Sequence, residues 1–270
     1  MSLALAIEQK ATSTIATMYL SFITVLAFYV SRFKHKVVLL LLRVLSQFKC
    51  IERQIMTQTP TERSRVKRMN KRAHYDEATI HPILDSQPMC TVGYVFNGSP
   101  YVTPTLQWRE GNHIYWHGSA ASRMLEACEE TQVCVNVTLF DGMVMARSAF
   151  NHSCNYRSVM AFGTAYKVKD VAEKELRMKT FVDQLFPGRW DILRQMTAKE
   201  LKATTILGLE LNEVSAKVRN GPPGDDEEDY DLPIWAGVIP MVTTMLKPID
   251  DPRLMPAMVP PEHVLRFKIG

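Results

Sequence analysis

The run CTVGYVFNGSPYVTPTLQWREGNHIYWHGSAASRM, from Cys90 to Met124, decides the fold. Three β-branched or aromatic stretches, Cys90 to Phe96, Tyr101 to Trp108 and His113 to His117, are separated by Asn97-Gly98-Ser99-Pro100 and Glu110-Gly111-Asn112. Both separators are good turn formers, so the expectation is an antiparallel meander. The third strand gives way at Gly118-Ser119 to a segment of helical composition, Ser119 to Glu130. That segment places Ala120, Met124, Leu125 and Cys128 close to one face and offers Ser119 as its N-cap.

Downstream, Val133 to Leu139 and Met143 to Phe150 resume the strand pattern across Phe140-Asp141-Gly142, read as a turn, and Tyr156 to Val168 reads as a long strand. Val171 to Leu185 is helical with Pro187-Gly188 as its stop, Asp191 to Leu201 is a further helix candidate, and Thr204 to Val218 returns to strand. Upstream, Asp76 to Leu84 suggests a short helix. Gly221 to Asp231 reads as a solvated acidic loop that binds nothing by itself. About six strands with two or three helices and no regular strand–helix alternation imply a mainly β chain: an antiparallel barrel with peripheral helices.

Three regions emerge: an N-terminal extension over residues 1–60, the barrel over 61–245, and a Pro/Met-rich tail over 246–270. Residues 11–31 carry no charge and approach the length that crosses a hydrocarbon core, about 20 residues. Arg32, Lys34, Lys36 and Arg43 follow, a bias that would keep the barrel on the cytoplasmic side. The seven Ser and Thr residues in the run leave three readings open: a membrane anchor, a presequence, or an extension outside the working protein. The location is accordingly cytoplasmic, or membrane-anchored with the barrel facing the cytoplasm.

Composition excludes several classes. With 32 basic and 28 acidic residues the net charge of +4 singles out no polyanion, and nucleic acid is not indicated. Five cysteines, odd in number and without a C-x-x-C pair, argue against a zinc site or a disulfide framework and for a reducing compartment. The three N-x-S/T sequons, at Asn97, Asn136 and Asn151, read as chance, since Asn136 lies in an apolar strand. Neither G-x-G-x-x-G after a strand, nor a Walker loop, nor a G-x-S-x-G elbow is present. His113 and His117 share a strand face about 13 Å apart, too far for one metal, and no metal is expected.

The chemistry concentrates at the strand–helix junction. Backbone N–H groups, the hydroxyls of Ser119 and Ser122 and the Arg123 guanidinium can converge there on one dianion. Read from these residues alone, ordinary capping by Ser119 with Arg123 in solvent is the competing account.

The junction does not stand alone. Arg72-Ala-His-Tyr-Asp76, Gly98-Ser-Pro-Tyr-Val-Thr-Pro104, His117-Gly-Ser-Ala-Ala-Ser-Arg123, Ala146-Arg-Ser-Ala-Phe-Asn-His152, Asn155-Tyr-Arg-Ser-Val159 with Phe162-Gly163, and Trp235-Ala-Gly-Val-Ile-Pro240 follow one another over roughly 180 residues. In order and spacing they resemble the flavin-nucleotide-binding branch of the pyridoxamine 5′-phosphate oxidase-like proteins, which includes the nitroimidazole-resistance proteins. The resemblance implies a split β-barrel that forms a homodimer and holds FMN in a cleft shared by both subunits. It places the main chain of Thr103, Thr105 and Leu106 beside the isoalloxazine edge, and His117, Gly118, Ser119, Ser122 and Arg123 around the phosphate. Arg157 and Ser158 match a strand that reaches the flavin, with an ion pair as the alternative for Arg157. Trp235 matches a position that either stacks by the flavin or packs in the core.

By the same resemblance His117 lies near the substrate and is the catalytic candidate; a hydrogen bond to the Gly118 turn is its structural alternative. Lys217 is a further candidate contact with phosphate or substrate, with a solvated strand end as the alternative, and His152 a candidate over the flavin or a hydrogen-bonded turn residue. The chain lacks the Arg-rich C-terminal segment expected of a vitamin B6 oxidase. The expected function is therefore an FMN-dependent oxidoreductase, reducing nitro or quinone-like small molecules with a nicotinamide donor. The alternatives are a flavin-storage protein and a membrane-tethered interaction module without cofactor.

Overall fold

A computed structural model describes residues 58–269. The three strands of the opening run form as expected: β2 (Met89–Phe96), β3 (Ser99–Glu110) and β4 (His113–Ser119). A short strand β1 (Ala73–His74) and helix α1 (Glu77–Asp85) precede them. Asp76 caps α1 by accepting from Thr79 N at 2.8 Å, and the helix buries Ile80, Ile83 and Leu84.

Helix α2 (Arg123–Cys128) starts later than its composition suggested, because β4 continues through Ser119 in its ladder with a later strand. Ser122, not Ser119, is the N-cap, and its side chain makes no capping bond. Next come β5 (Gln132–Met145), β6 (Ser153–Thr164), β7 (Tyr166–Lys167) and α3 (Val171–Leu185). The expected turn at Phe140-Asp141-Gly142 is instead a bulge within the single strand β5, and residues 146–152 form a loop. Gly142 has φ 152°, and a Cβ there would stand 2.5 Å from the Ile239 carbonyl oxygen. Glycine is what lets the strand β10 (Gly237–Pro240) pair alongside.

Helix α3 has the expected bounds, with Asp170 capping it through Glu173 N at 2.8 Å. The Asp191 to Leu201 candidate resolves into a single 3-10 turn and α4 (Ala198–Ala203), which carries a Thr197/Glu200 capping box. Thr204 to Val218 is two strands, β8 (Thr204–Glu210) and β9 (Glu213–Arg219), and α5 (Glu262–Leu265) is the last described helix.

All pairings are antiparallel in the order β1-β9-β6-β5-β2-β3-β4-β8-β7, with β10 on β5. The two end strands do not pair with each other, so the curled sheet stays open: an antiparallel split barrel with peripheral helices, as expected. Its main core gathers Val92, Val135, Ile114, Trp116, Leu207 and Leu209. A second core holds Trp108, Tyr115 and Ile206 under Met178 and Phe181 of α3. Burying each of those two α3 side chains is worth about 1.5–3 kcal/mol, which fastens the helix to the β3–β4–β8 face.

Among the described residues no helix is long and apolar enough to cross a membrane. The candidate anchor at 11–31 lies outside the described residues.

Candidate functional site

The site follows from where two strands part company. β3 pairs with β2 from Ser99 to Leu106, but with β4 only from Gln107 to Glu110. Beyond Trp116, β4 pairs with β8 alone: His117 with Ile206, Gly118 with Thr205, Ser119 with Thr204. The barrel is split between Leu106 and His117.

Turn chemistry sets which main-chain groups face the split. Asn97 and Gly98 have φ of 49° and 75°, a two-residue turn that makes Phe96 and Ser99 a hydrogen-bonded pair. Alternate pairs then repeat the pattern, so Tyr101, Thr103 and Thr105 commit their main chain to β2. Pro100, Val102, Pro104 and Leu106 direct theirs to the other edge. Both prolines fall where no ladder N–H is required, which agrees with this phase. The turn at Gly111-Asn112 phases β4 likewise: His113 and Tyr115 face β3, and so do His117 and Ser119, whose strand partner has diverged. Main-chain groups of Val102, Leu106 and His117 thus point into the split without a strand partner. Such groups call for an occupant that can hydrogen-bond.

This places the sequence candidates individually. Leu106 offers its main chain to the split, whereas the main chains of Thr103 and Thr105 are spent on β2. The Thr103 hydroxyl lies 3.3 Å from that of Tyr94. Ser119 Oγ accepts from Ala121 N at 3.2 Å and its carbonyl accepts from Ser122 N at 2.9 Å. Arg123 is exposed, with its guanidinium carbon 5.3 Å from the centre of the Phe96 ring and 5.2 Å from that of Tyr101. Two cation–π contacts therefore fix a cation at the β2–β3 turn without neutralising it. Helix α2 has only six residues, so an anion here would depend on Arg123 and the hydroxyls. Gly118 is packed by Leu125, whose Cδ1 would stand 3.1 Å from a Cβ.

His117 is half-buried, its ring 5.9 Å from that of Trp108 and 4.8 Å from that of Phe181. Its ring lies with Trp108 and Phe181, apart from the Phe96 and Tyr101 rings that hold Arg123. Its Nδ1 is buried without a partner among the described residues. Burial pulls its pKa below the usual 6.5, leaving it neutral at pH 7. Burial also pushes the Cys90 thiol up to about 12, against a lowering backbone hydrogen bond, and Cys128 to about 11, so neither serves as a nucleophile.

Arg157 forms a two-pronged ion pair with Asp141, Nη2 to Oδ1 at 2.8 Å and Nε to Oδ2 at 3.0 Å. The Asp141 hydrogen bond keeps the guanidinium pKa raised despite partial burial. The pair borders a cavity of about 420 Å³ that Phe140, Gln87, Met241 and Ile269 also line. Ser158 Oγ donates to Lys217 O at 3.4 Å. Trp235 is 67% exposed, so it is not a core residue; its Cζ2 would lie 2.9 Å from a Cβ on Gly237. His152 Nδ1 sits 2.7 Å from Ser148 O and the ring is exposed.

The acidic loop is not merely solvated. The Asp225 side chain is fully buried and accepts from Arg147 N at 2.9 Å and Nη1 at 3.0 Å, while Arg147 lies over the Tyr230 ring. Burial pushes the Asp225 pKa up, but the Arg147 hydrogen bonds and charge outweigh it and hold the carboxyl low. Sequence reasoning missed Asp141, read as part of a turn, and Asp225, read as part of a solvated loop, because their partners are 16 and 78 residues away.

Residues 76–218 match a family model described as "Pyridoxamine 5'-phosphate oxidase". The flavocytochrome Anf3 from Azotobacter vinelandii is 49% identical, with 79% of this chain and 100% of that one covered and a TM-score of 0.77. The FAD and heme binding protein from Mycobacterium smegmatis is 34% identical, covering 73% and 97%, with a TM-score of 0.70. No curated protein matches the chain.

Proposed function

Because the chain belongs to the pyridoxamine 5′-phosphate oxidase family, we propose that it is a flavin-dependent oxidoreductase whose cofactor edge occupies the split between β3 and β4. The observation that carries this reading is the row of unpartnered main-chain groups at Val102, Leu106 and His117, which suits the polar rim of a flat ring. The residues present fit the rest of the cofactor. Arg123 and the uncommitted Ser122 hydroxyl, with Ser119 and Gly118 beside them, would hold the phosphate. Flavin, when bound, supplies hydride and single-electron transfer.

The chain's own task is then to bind, orient and shield. Arg123 neutralises the phosphate. Leu106 and His117 read the ring edge through their main chains. The neutral His117 imidazole offers a hydrogen bond to substrate rather than a fixed positive charge. Arg157 and Ser158 lie on β6, which pairs with β5 and β9, and Trp235, being exposed, is free to cover a ring in a homodimer. FMN is the cofactor expected from the motifs, a nicotinamide the donor, and a nitro or quinone-like compound the acceptor.

The flavocytochrome relative and the FAD and heme binding relative favour a second reading in which a heme accompanies the flavin, and the latter favours FAD as that flavin. His152 would be a residue able to hold the heme iron: with Nδ1 donating to Ser148 O, Nε2 is left outward on an exposed ring. The test is an absorbance spectrum of natively purified protein with mass determination of what it releases. Bands near 450 nm, a property of the flavin, with bleaching by NADH or NADPH and reoxidation by a quinone, are expected. The released mass separates FMN from FAD, and a Soret band reports heme. Retention of flavin without turnover would make this a storage protein. A colourless protein that refuses both FMN and FAD overturns the proposal.

A further inference from the structure

Among the described residues, two surfaces expose large apolar side chains with nothing seated on them. The first is the outer face of the β2–β3 hairpin. Alternate positions from Met89 to Val95 and from Pro100 to Leu106 point away from the barrel interior, and none of them is charged. Val95 is 62% and Val102 71% exposed. The second is the segment 242–259, which contains no helix or strand yet leaves Val242, Leu246 and Ile249 at 89%, 86% and 97% exposure.

That segment is held at both ends on its own copy. Met241 N donates to Asp141 O at 2.9 Å, and beyond α5 the Phe267 ring packs 4.8 Å from that of Phe186 on the end of α3. Its 18 residues could span up to about 60 Å when extended, against about 40 Å for the 12-residue strand β3. Despite that reach, the arm leaves its own hairpin face bare. The arm itself carries four charges, Lys247, Asp250, Asp251 and Arg253, but its exposed Val242, Leu246, Ile249 and Val259 match the uncharged face, and together they mark an association site.

We propose that the arm 242–259 of one copy lies across the β2–β3 face of a second copy, reciprocally, so that each site is closed on its outer side by the partner's arm. The occupant is a second copy because every chain carries both halves of the contact, as a two-fold interface demands. The arm's 18 positions and the face's eight also match the roughly 20–30 residues a side of a standard interface. Leu106 links this to the site, since its side chain lies on the covered face while its main chain enters the split. The inference rests on the homodimer of the proposed function and adds the element that clasps it.

The experiment uses the full chain. Sedimentation measures self-association of the wild type, of Leu246→Gln/Ile249→Gln/Val259→Gln, and of Val95→Gln. All four side chains are exposed in the single chain, so circular dichroism should stay unchanged. At about ten-fold per lost anchor, the triple variant should weaken the dimer at least 100-fold. A photo-crosslinking side chain at Ile249, in an unlabelled copy mixed with ¹⁵N-labelled wild type, should join light arm peptides to heavy peptides from Met89 to Leu106. A monomeric wild type, an unaffected dimer in the triple variant, or crosslinks confined to light–light pairs would each overturn the proposal. Flavin content measured on the same samples keeps the two claims apart: loss of flavin with the arm contact intact counts against the cofactor site alone.

Discussion

Replacing Arg123 isolates the phosphate end of the site. Its guanidinium stands over Phe96 and Tyr101 at 5.3 and 5.2 Å, so the cation is positioned before any ligand arrives. Losing one charge-assisted contact to phosphate should cost about 1.5–3 kcal/mol, which raises the flavin dissociation constant roughly 10- to 150-fold. The two ring contacts, at about 0.5–1 kcal/mol each, are lost as well and lower the stability of the cofactor-free protein slightly. Arg123→Lys keeps a point charge without the planar fork and should fall between. The assay is fluorescence quenching on titrating apoprotein with FMN and, separately, with riboflavin, which has no phosphate. Arg123→Ala should bind FMN little better than riboflavin, with riboflavin affinity close to that of wild type. Unchanged FMN affinity, or an equal loss for both ligands, would refute the placement of the phosphate.

Gly208→Ala should destabilise the second core, because a Cβ there meets Tyr166 Cζ at 2.6 Å and Tyr115 Cε1 at 2.8 Å. Overpacking of about 1–3 kcal/mol corresponds to a fall in Tm of roughly 2–12 °C by calorimetry, and an unaltered Tm would contradict it. Asp225→Asn removes the negative partner of Arg147 and should expose residues 221–231 to limited proteolysis, whereas wild type resists at neutral pH. Since the folded Asp225 carboxyl is held low, its contribution to stability is present above the usual 3.8 and is lost as pH falls through the folded value; loop cleavage that rises only toward high pH would argue otherwise. For His117 the folded pKa is lowered, so below 6.5 the unfolded chain binds more protons and stability declines. The urea midpoint should therefore drop between about pH 7 and 5.5 in wild type and drop less in His117→Phe; equal slopes would remove His117 as the cause.

How much of this was legible in the sequence depended on whether local chemistry and tertiary context agreed. β2, β3 and β4 were readable because Asn97-Gly98 and Gly111-Asn112 are turns that the strands on either side also require. Helices α1 and α3 were readable from composition, α3 with its Pro187-Gly188 stop, and the structure adds their caps, Asp76 and Asp170. The β8–β9 hairpin was not, because Leu211 at its turn is fully buried, its N–H donating to Asn112 O, and carries no turn signal. Phe140-Asp141-Gly142 has the composition of a turn, yet Gly142 serves the close approach of β10, which no local window reveals. At the site, Ser119, Ser122 and Arg123 could be named from their order and a split barrel from the resemblance, but not which main-chain groups face the split. Its only traces in the sequence are Pro100 and Pro104, spaced so that both missing N–H groups fall on one strand edge. Arg157 shows the converse: the type was readable, while its Asp141 partner came from a residue assigned to a turn.

The account stands on the split between β3 and β4 as the place where a flavin edge is read. Hydrogen exchange with and without added flavin measures this directly, because a bound ring edge protects amides that have no strand partner. Peptides covering Val102, Leu106 and His117 should gain protection on flavin addition, together with the segment from Ser119 to Arg123, while the amides of Thr103 and Thr105 are already slow. Flavin binding that leaves Leu106 and His117 exchanging as before, or that protects another part of the barrel instead, would contradict it.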